Sequence, residues 1–361
     1  MQSFVYTAAA TRVVFGAGAL GELGREIALL GAERALVLST PGQAASAHRV
    51  AELLGERSAG VFAQARMHVP IEIARAARAE VQRLGADCAV AIGGGSTTGL
   101  GKAIALEVDG TRRFPIVAIP TTYAGSEMTP IWGVTEGGVK KTGRDPRVLP
   151  ATVIYDPELT VALPLALTVT SAMNAIAHAA EGLYAHDGNP VTALMAEEGI
   201  RAAATALPAL RADAGDLEAR SDALYAAWLC GTVLGNVAMG LHHKLCHTLG
   251  GTFNLPHAEV HTVVLPHALA YNAAAAPEAM ARIVRALTAA GRPGGSAARA
   301  VFDLAEAHGA PTSLREIGMA ESDLDRAADL AVQNQYPNPR GLERGAIRAL
   351  LQRAHEGARP D

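Results

Sequence analysis

The stretch "AVAIGGGSTTGLGKAIAL", residues 89–106, reads as a buried strand, three consecutive glycines and the start of a helix. Gly93, Gly94, Gly95 and Ser96 would let a pyrophosphate come close to the backbone, where successive N–H groups and the helix N-terminus stabilise its charge. A structural turn alone needs fewer glycines. The Walker pattern fails, because Ser96 stands where its first Gly should be and Ala103 where its Ser or Thr should be. The stretch therefore predicts nucleotide binding without an NTPase loop.

Similar apolar runs flank it: "RVVF" 12–15, "ALVLS" 35–39, "GVFAQA" 60–65, "PIVAIPTT" 115–122 and "TVIYD" 152–156. Helical patterns separate most of them. Strand–helix alternation predicts an α/β domain over 1–157, with a parallel sheet and helices on both faces. Ligands of such sheets bind at the carboxyl ends of strands. The loop "IPTTYAGSEMT", 119–129, adds Thr121, Thr122, Ser126 and Thr129 at a second strand end. A rival glycine pattern, "VVFGAGALGELGREI" at 13–27, spells G-x-G-x-x-G with Gly16, Gly18 and Gly21. It should be followed about 20 residues later by an acid that holds the ribose. The second strand ends instead in Ser39-Thr40-Pro41. We read the first pattern as a tight turn into a helix, and Ser39 and Thr40 as hydroxyls able to meet either NADH or NADPH.

After Pro157 the texture changes to Ala- and Leu-rich helical patterns, predicting an all-helical domain over 158–361, with a site in the cleft between the domains. Eight of the twelve histidines fall within 178–267. Asn174 and His178 are four apart, with Glu181 continuing the same helix face. "GLHHKLCHTLGGTFNLPHAEVH", 240–261, carries five more histidines, among them His243 and His247 at helical spacing. Such a cluster suits a divalent metal or a polar substrate, and spacing does not separate the two. The net charge of −4 and the 4% aromatic content give no sign of nucleic-acid or membrane partners. Three scattered cysteines, no signal peptide and no long apolar run predict a cytoplasmic protein.

"GGGS…K" (93–102), "IPTT…GSE.T" (119–129), "N…H..E" (174–181) and "H…H.LGG.F..PH" (243–257) resemble the iron-containing alcohol dehydrogenase family. The likeness runs from "VVFGAGAL" to "NPR" at 338–340. It implies a dehydroquinate synthase-like fold, NADH or NADPH on the Gly93–Ser96 loop, and a homodimer. The N-terminal "SFVYTA" could then add an edge strand to a partner's sheet. It also implies Lys140 and Leu159 along the nucleotide, and iron or zinc on His178, His243 and His257 with an aspartate. Here Asn174 takes that aspartate's position, and Gly99 that of an acid in the glycine loop. In these departures and motifs the chain resembles the maleylacetate reductase branch, which reduces the carbon–carbon double bond of a small dicarboxylate. The resemblance then implies His243 and His247 nearest the nicotinamide. His178, His257 and Asn174 would orient the substrate through protonated or hydrogen-bonding imidazoles, with Tyr123 a further polar contact and His242 and Lys244 pointing elsewhere. A metal is possible but not expected to be required. A metal-dependent alcohol or polyol dehydrogenase, and a non-redox lyase related to dehydroquinate synthase, remain open.

Overall fold

Alternation of side chains decides how the sheet is buried. Leu36, Leu38, Ala89, Ala91 and Ile116 feed one hydrophobic cluster, while Ala35, Val37, Val90, Ile92, Val117 and Ile119 feed another. Adjacent residues thus enter cores on opposite faces, as expected for strands covered on both sides. The structure, a computed structural model, describes residues 4–107, 113–333 and 335–361.

The chain forms two compact units, Ala8–Leu163 and Pro164–Asp361, the latter joined by the N-terminal residues through Thr7. The division falls slightly beyond Pro157, because the 3-10 turn Pro157–Thr160 stays with the sheet unit. In the first unit the order is Arg12–Phe15 (β1), Leu23–Leu29 (α1), Ala35–Leu38 (β2), Ala44–Leu54 (α2), Ser58–Phe62 (β3) and Ile71–Leu84 (α3). Cys88–Gly93 (β4), Gly95–Glu107 (α4), Ile116–Pro120 (β5), Ile131–Glu136 (β6), Val139–Arg144 (β7) and Thr152–Tyr155 (β8) follow. The six-stranded sheet runs β1-β8-β5-β4-β2-β3, and every pairing is parallel. From β2 the chain moves outward to β3, then returns past β2 to β4 and continues the other way. The order therefore reverses between β2 and β4, the place where an open α/β sheet leaves a crevice for a ligand.

The hairpin β6–β7 is antiparallel and was not expected. Its turn, Gly137-Gly138, has both φ angles positive, at 57° and 77°, which is the conformation a two-residue hairpin demands. Residues 4–11 carry no strand, and β1 is an edge strand paired only with β8.

The second unit contains Leu165–Leu183 (α5), Pro190–Ala212 (α6), Leu217–Asn236 (α7), Leu241–Phe253 (α8), His257–Asn272 (α9) and four further helices. Among its described residues there is no strand. No single helix among the described residues is long and apolar enough to cross a membrane.

Candidate active site

The two glycine patterns have different fates. At the first, the backbone N–H groups of Gly18 and Leu20 donate to the Asp156 carboxylate at 3.2 and 3.0 Å. Asp156 also accepts from Glu158 N at 3.1 Å. The protein's own carboxylate thus fills the anion position at this helix start.

At the second, the ends of β2, β4 and β5 are tied together. Thr121 N donates to Gly93 O at 3.1 Å, and Gln43 Nε2 donates to Thr121 Oγ1 at 2.8 Å. Gly93 has φ +147°, and a Cβ there would stand 2.5 Å from Thr97 Oγ1 and 2.8 Å from Gln43 Oε1. A Cβ on Gly94 would lie 3.0 Å from the Thr122 side chain, whereas one on Gly95 meets nothing within 4 Å. Gly95 is exposed and Ser96 half-buried at the start of α4. The backbone around Gly95 thus has the space that a pyrophosphate would need.

The remaining expected nucleotide contacts divide. Ser39 has no exposed surface, and its hydroxyl donates to Thr40 O at 3.1 Å, so only the half-buried Thr40 faces outward. Lys102, buried on α4, donates to Ser126 O at 2.6 Å, Thr129 Oγ1 at 2.9 Å and Ile131 O at 2.9 Å. It pins the 126–131 loop to the glycine-loop helix. Burial draws its pKa down to about 7 against the opposing effect of Glu127. Lys140 is exposed on β7, and Leu159 is half-buried against the sheet core. Tyr123, expected as a polar contact, has no exposed surface. Gln43 and Asp156 escaped the sequence reading. Gln43 acts through a side-chain bond to a residue remote in sequence and Asp156 through backbone N–H groups, and neither leaves a spacing signal.

In the helical unit Glu181 organises the histidines. Its carboxylate accepts from the backbone N–H groups of Gly240, His242 and His243 at 3.2, 2.9 and 3.3 Å, and contacts His243 Nδ1 at 2.5 Å. His178 stacks on His243 with ring centroids 5.0 Å apart. His261 lies 4.9 Å from His243 and 4.4 Å from His257. His242 belongs to the cluster rather than pointing away: its ring is 4.8 Å from that of His261, and its Nε2 sits 3.1 Å from His261 O. Lys244 does point out, 5.2 Å from the Tyr336 ring centroid. His247 is exposed, its ring 6.4 Å from that of His243, and His257 is half-buried. Ring nitrogens of His242, His243 and His261 all lie within 4.8 Å of one another.

Residues 10–157 match the family described as iron-containing alcohol dehydrogenase, and residues 168–355 match the C-terminal region of the same family. The chain belongs to the iron-containing alcohol dehydrogenase family. It is 67% identical over 360 residues to a maleylacetate reductase of Burkholderia cepacia, covering 100% of both chains. It is 59% identical to one of Pseudomonas sp. strain P51, covering 99% of each. The crystal structure of maleylacetate reductase from Agrobacterium tumefaciens superposes with a TM-score of 0.94 at 55% identity and covers 100% of both chains.

Against that family background the electrostatics are informative. Burial, reinforced by neighbouring imidazoles, holds His178, His243 and His261 well below the usual histidine range, and draws His242 down to about 4. Burial raises Glu181, opposed by His242 and the backbone N–H groups it caps. These imidazoles are therefore neutral near pH 7, not positively charged as a dicarboxylate would favour. They can still donate and accept hydrogen bonds. Asn174 Oδ1, His178 Nδ1, His243 Nε2 and both ring nitrogens of His261 are buried without a partner among the described residues. Buried polar atoms left unpaired are costly, so this concentration marks a place built to receive polar atoms.

Proposed function

We propose that this chain is an NAD(P)H-dependent reductase of maleylacetate, giving 3-oxoadipate in the breakdown of aromatic compounds. The observation that carries the reading is the set of unpaired donors and acceptors on Asn174, His178, His243 and His261. Asn174 stands where the family resemblance implies an aspartate. Its neutrality removes a charge that would repel a dianion.

A reduced nicotinamide bound there would supply hydride to the alkene carbon β to the ketone. Negative charge collects on the ketone oxygen, and a proton must then reach the neighbouring carbon. Glu181 sets which hydrogen His243 can offer. An ionised carboxylate takes hydrogen from Nδ1 and leaves Nε2 an acceptor, whereas a protonated one leaves Nε2 a donor. The donor form can stabilise the enolate oxygen. His247, exposed beside His243, is the candidate to pass a proton from solvent. Gly94, Gly95 and Ser96 would cradle the pyrophosphate beside Thr122, and Thr40 would meet the ribose.

His178, His243 and His257 would hold a divalent iron or zinc there, with Asn174 at the fourth position and Glu181 behind His243 to orient its ring. A bound cation would polarise the substrate oxygen. Neutral ligands compensate its charge poorly, and reduction in this reading does not require it. Homodimer formation fits the exposed Phe4 and Val5 and the open edge of β1. The three cysteines, buried and free, suit a reducing cytoplasm.

The test is a steady-state assay of nicotinamide absorbance with maleylacetate, before and after exhaustive chelation. Turnover that survives chelation supports the reading. Turnover only with a simple alcohol or aldehyde and added metal would favour an alcohol dehydrogenase.

A further inference from the structure

The four N–H groups that open an α-helix lack partners inside it. At α8, which carries His242, His243 and His247, two side chains supply all four partners. Glu181 takes those of Gly240, His242 and His243. The remaining one, Leu241 N, donates to Asn338 Oδ1 at 3.2 Å. Asn338 lies far along the chain, in the "NPR" segment at 338–340.

Asn338 is itself clamped. Its Nδ2 donates to Asn272 Oδ1 at 2.8 Å and to Arg340 O at 2.7 Å, while Asn272 Nδ2 donates back to Asn338 Oδ1 at 3.1 Å. Both amides are therefore fully engaged, and their orientation is set by this reciprocal pair. Asn272 is the last residue of α9, the helix that begins with His257 and carries His261. The fit is close at the helix start: a Cβ on Gly240 would stand 3.0 Å from Asn338 Oδ1 and 3.2 Å from Glu181 Oε1.

We propose that Asn338, clamped by Asn272, is a positioning residue that locks the start of α8 to the end of α9 and so fixes His243 against His261. It touches no substrate atom. Its effect passes through helix placement, to which catalysis is sensitive because a displacement of about 1 Å at the reacting groups can cost about a hundredfold. The catalytic part of this inference rests on the proposed reductase function; the placement part does not.

The experiment compares Asn338→Ala with Asn338→Asp. Aspartate keeps the oxygen to which Leu241 N and Asn272 Nδ2 donate and suits a helix N-terminus, but it loses the two bonds that Nδ2 gave, so it rescues in part. The alanine variant should lose about tenfold or more in kcat for maleylacetate, and the aspartate variant less than about threefold. KM for NADPH should stay unchanged in both, because the nucleotide loops lie in the other unit. Histidine-selective ¹⁵N NMR supplies a readout that needs no substrate: imidazole resonances of the cluster should shift or broaden in Asn338→Ala and stay near the parent positions in Asn338→Asp. If Asn338→Ala does not fold, Asn272→Ala takes its place, since it removes the clamp and leaves the oxygen on Leu241. Parent-like kcat and imidazole spectra in a folded alanine variant, or equal losses in alanine and aspartate variants, would overturn the proposal. A parent enzyme inert toward maleylacetate would sink the substrate reading alone, and the spectra would still decide the placement.

Discussion

At the residue scale, the glycine loop separates steric need from ligand need. Gly93 and Gly94 are crowded by Thr97, Gln43 and Thr122, so substitution there disturbs the protein itself. Gly95 faces open space with no positive φ. Gly95→Val should leave the thermal midpoint near that of the parent but raise KM for NADPH at least about tenfold, or about 1.4 kcal/mol. An unchanged KM would remove the pyrophosphate from this loop. Asn174 offers a second test. Asn174→Asp adds a negative donor beside His178, and should raise zinc or iron retention in elemental analysis while lowering turnover of the dianion. A parent protein that already holds one metal per chain, and loses activity with it, would reverse the reading of this position.

At the element scale, nucleotide choice is decided where β2 ends. A carboxylate there would hold a ribose and repel a 2′-phosphate. Thr40 is the hydroxyl that faces outward, since Ser39 is buried and turned back on the chain. NADH and NADPH should therefore serve within about tenfold of each other, and Thr40→Asp should shift the ratio of kcat/KM toward NADH. A parental preference of about a thousandfold for either would contradict this. The same strands show what was legible in the sequence. Apolar runs such as 88–93 and 116–120 have only one way to be buried, so the parallel sheet could be read directly. The β6–β7 hairpin was missed although Gly137-Gly138 marks its turn, because β7 is almost wholly exposed and lacks apolar alternation. The place of His242 was not legible, because Asn338 and Glu181, which cap the start of α8, are remote from it in sequence.

At the scale of the whole molecule, the buried histidines make stability depend on acidity. His178, His242, His243, His261 and His267 all have folded pKa values lowered from 6.5 chiefly by burial, with His242 and His267 near 4. Below 6.5 the unfolded chain binds protons that the folded imidazoles refuse, so the histidines' contribution is complete above that value and is lost as pH drops. Glu127 and Glu181, raised by burial, act in the opposite sense but are fewer. The urea midpoint should be lower at about pH 5 than at about pH 7.5. Equal midpoints would mean that the imidazoles find protons or solvent in the folded state.

The carboxylate of Asp156, seated on the N–H groups of Gly18, Leu20 and Glu158, is a tethered anion at an effective concentration that a free ion in solution does not match. Shortening it to Asp156→Ala would turn an internal contact into a binding equilibrium. The variant should then become a formate-dependent protein, its thermal midpoint climbing with added formate while that of the parent stays flat. Such chemical rescue would show that the first glycine turn kept its capacity for anions and lost only the vacancy.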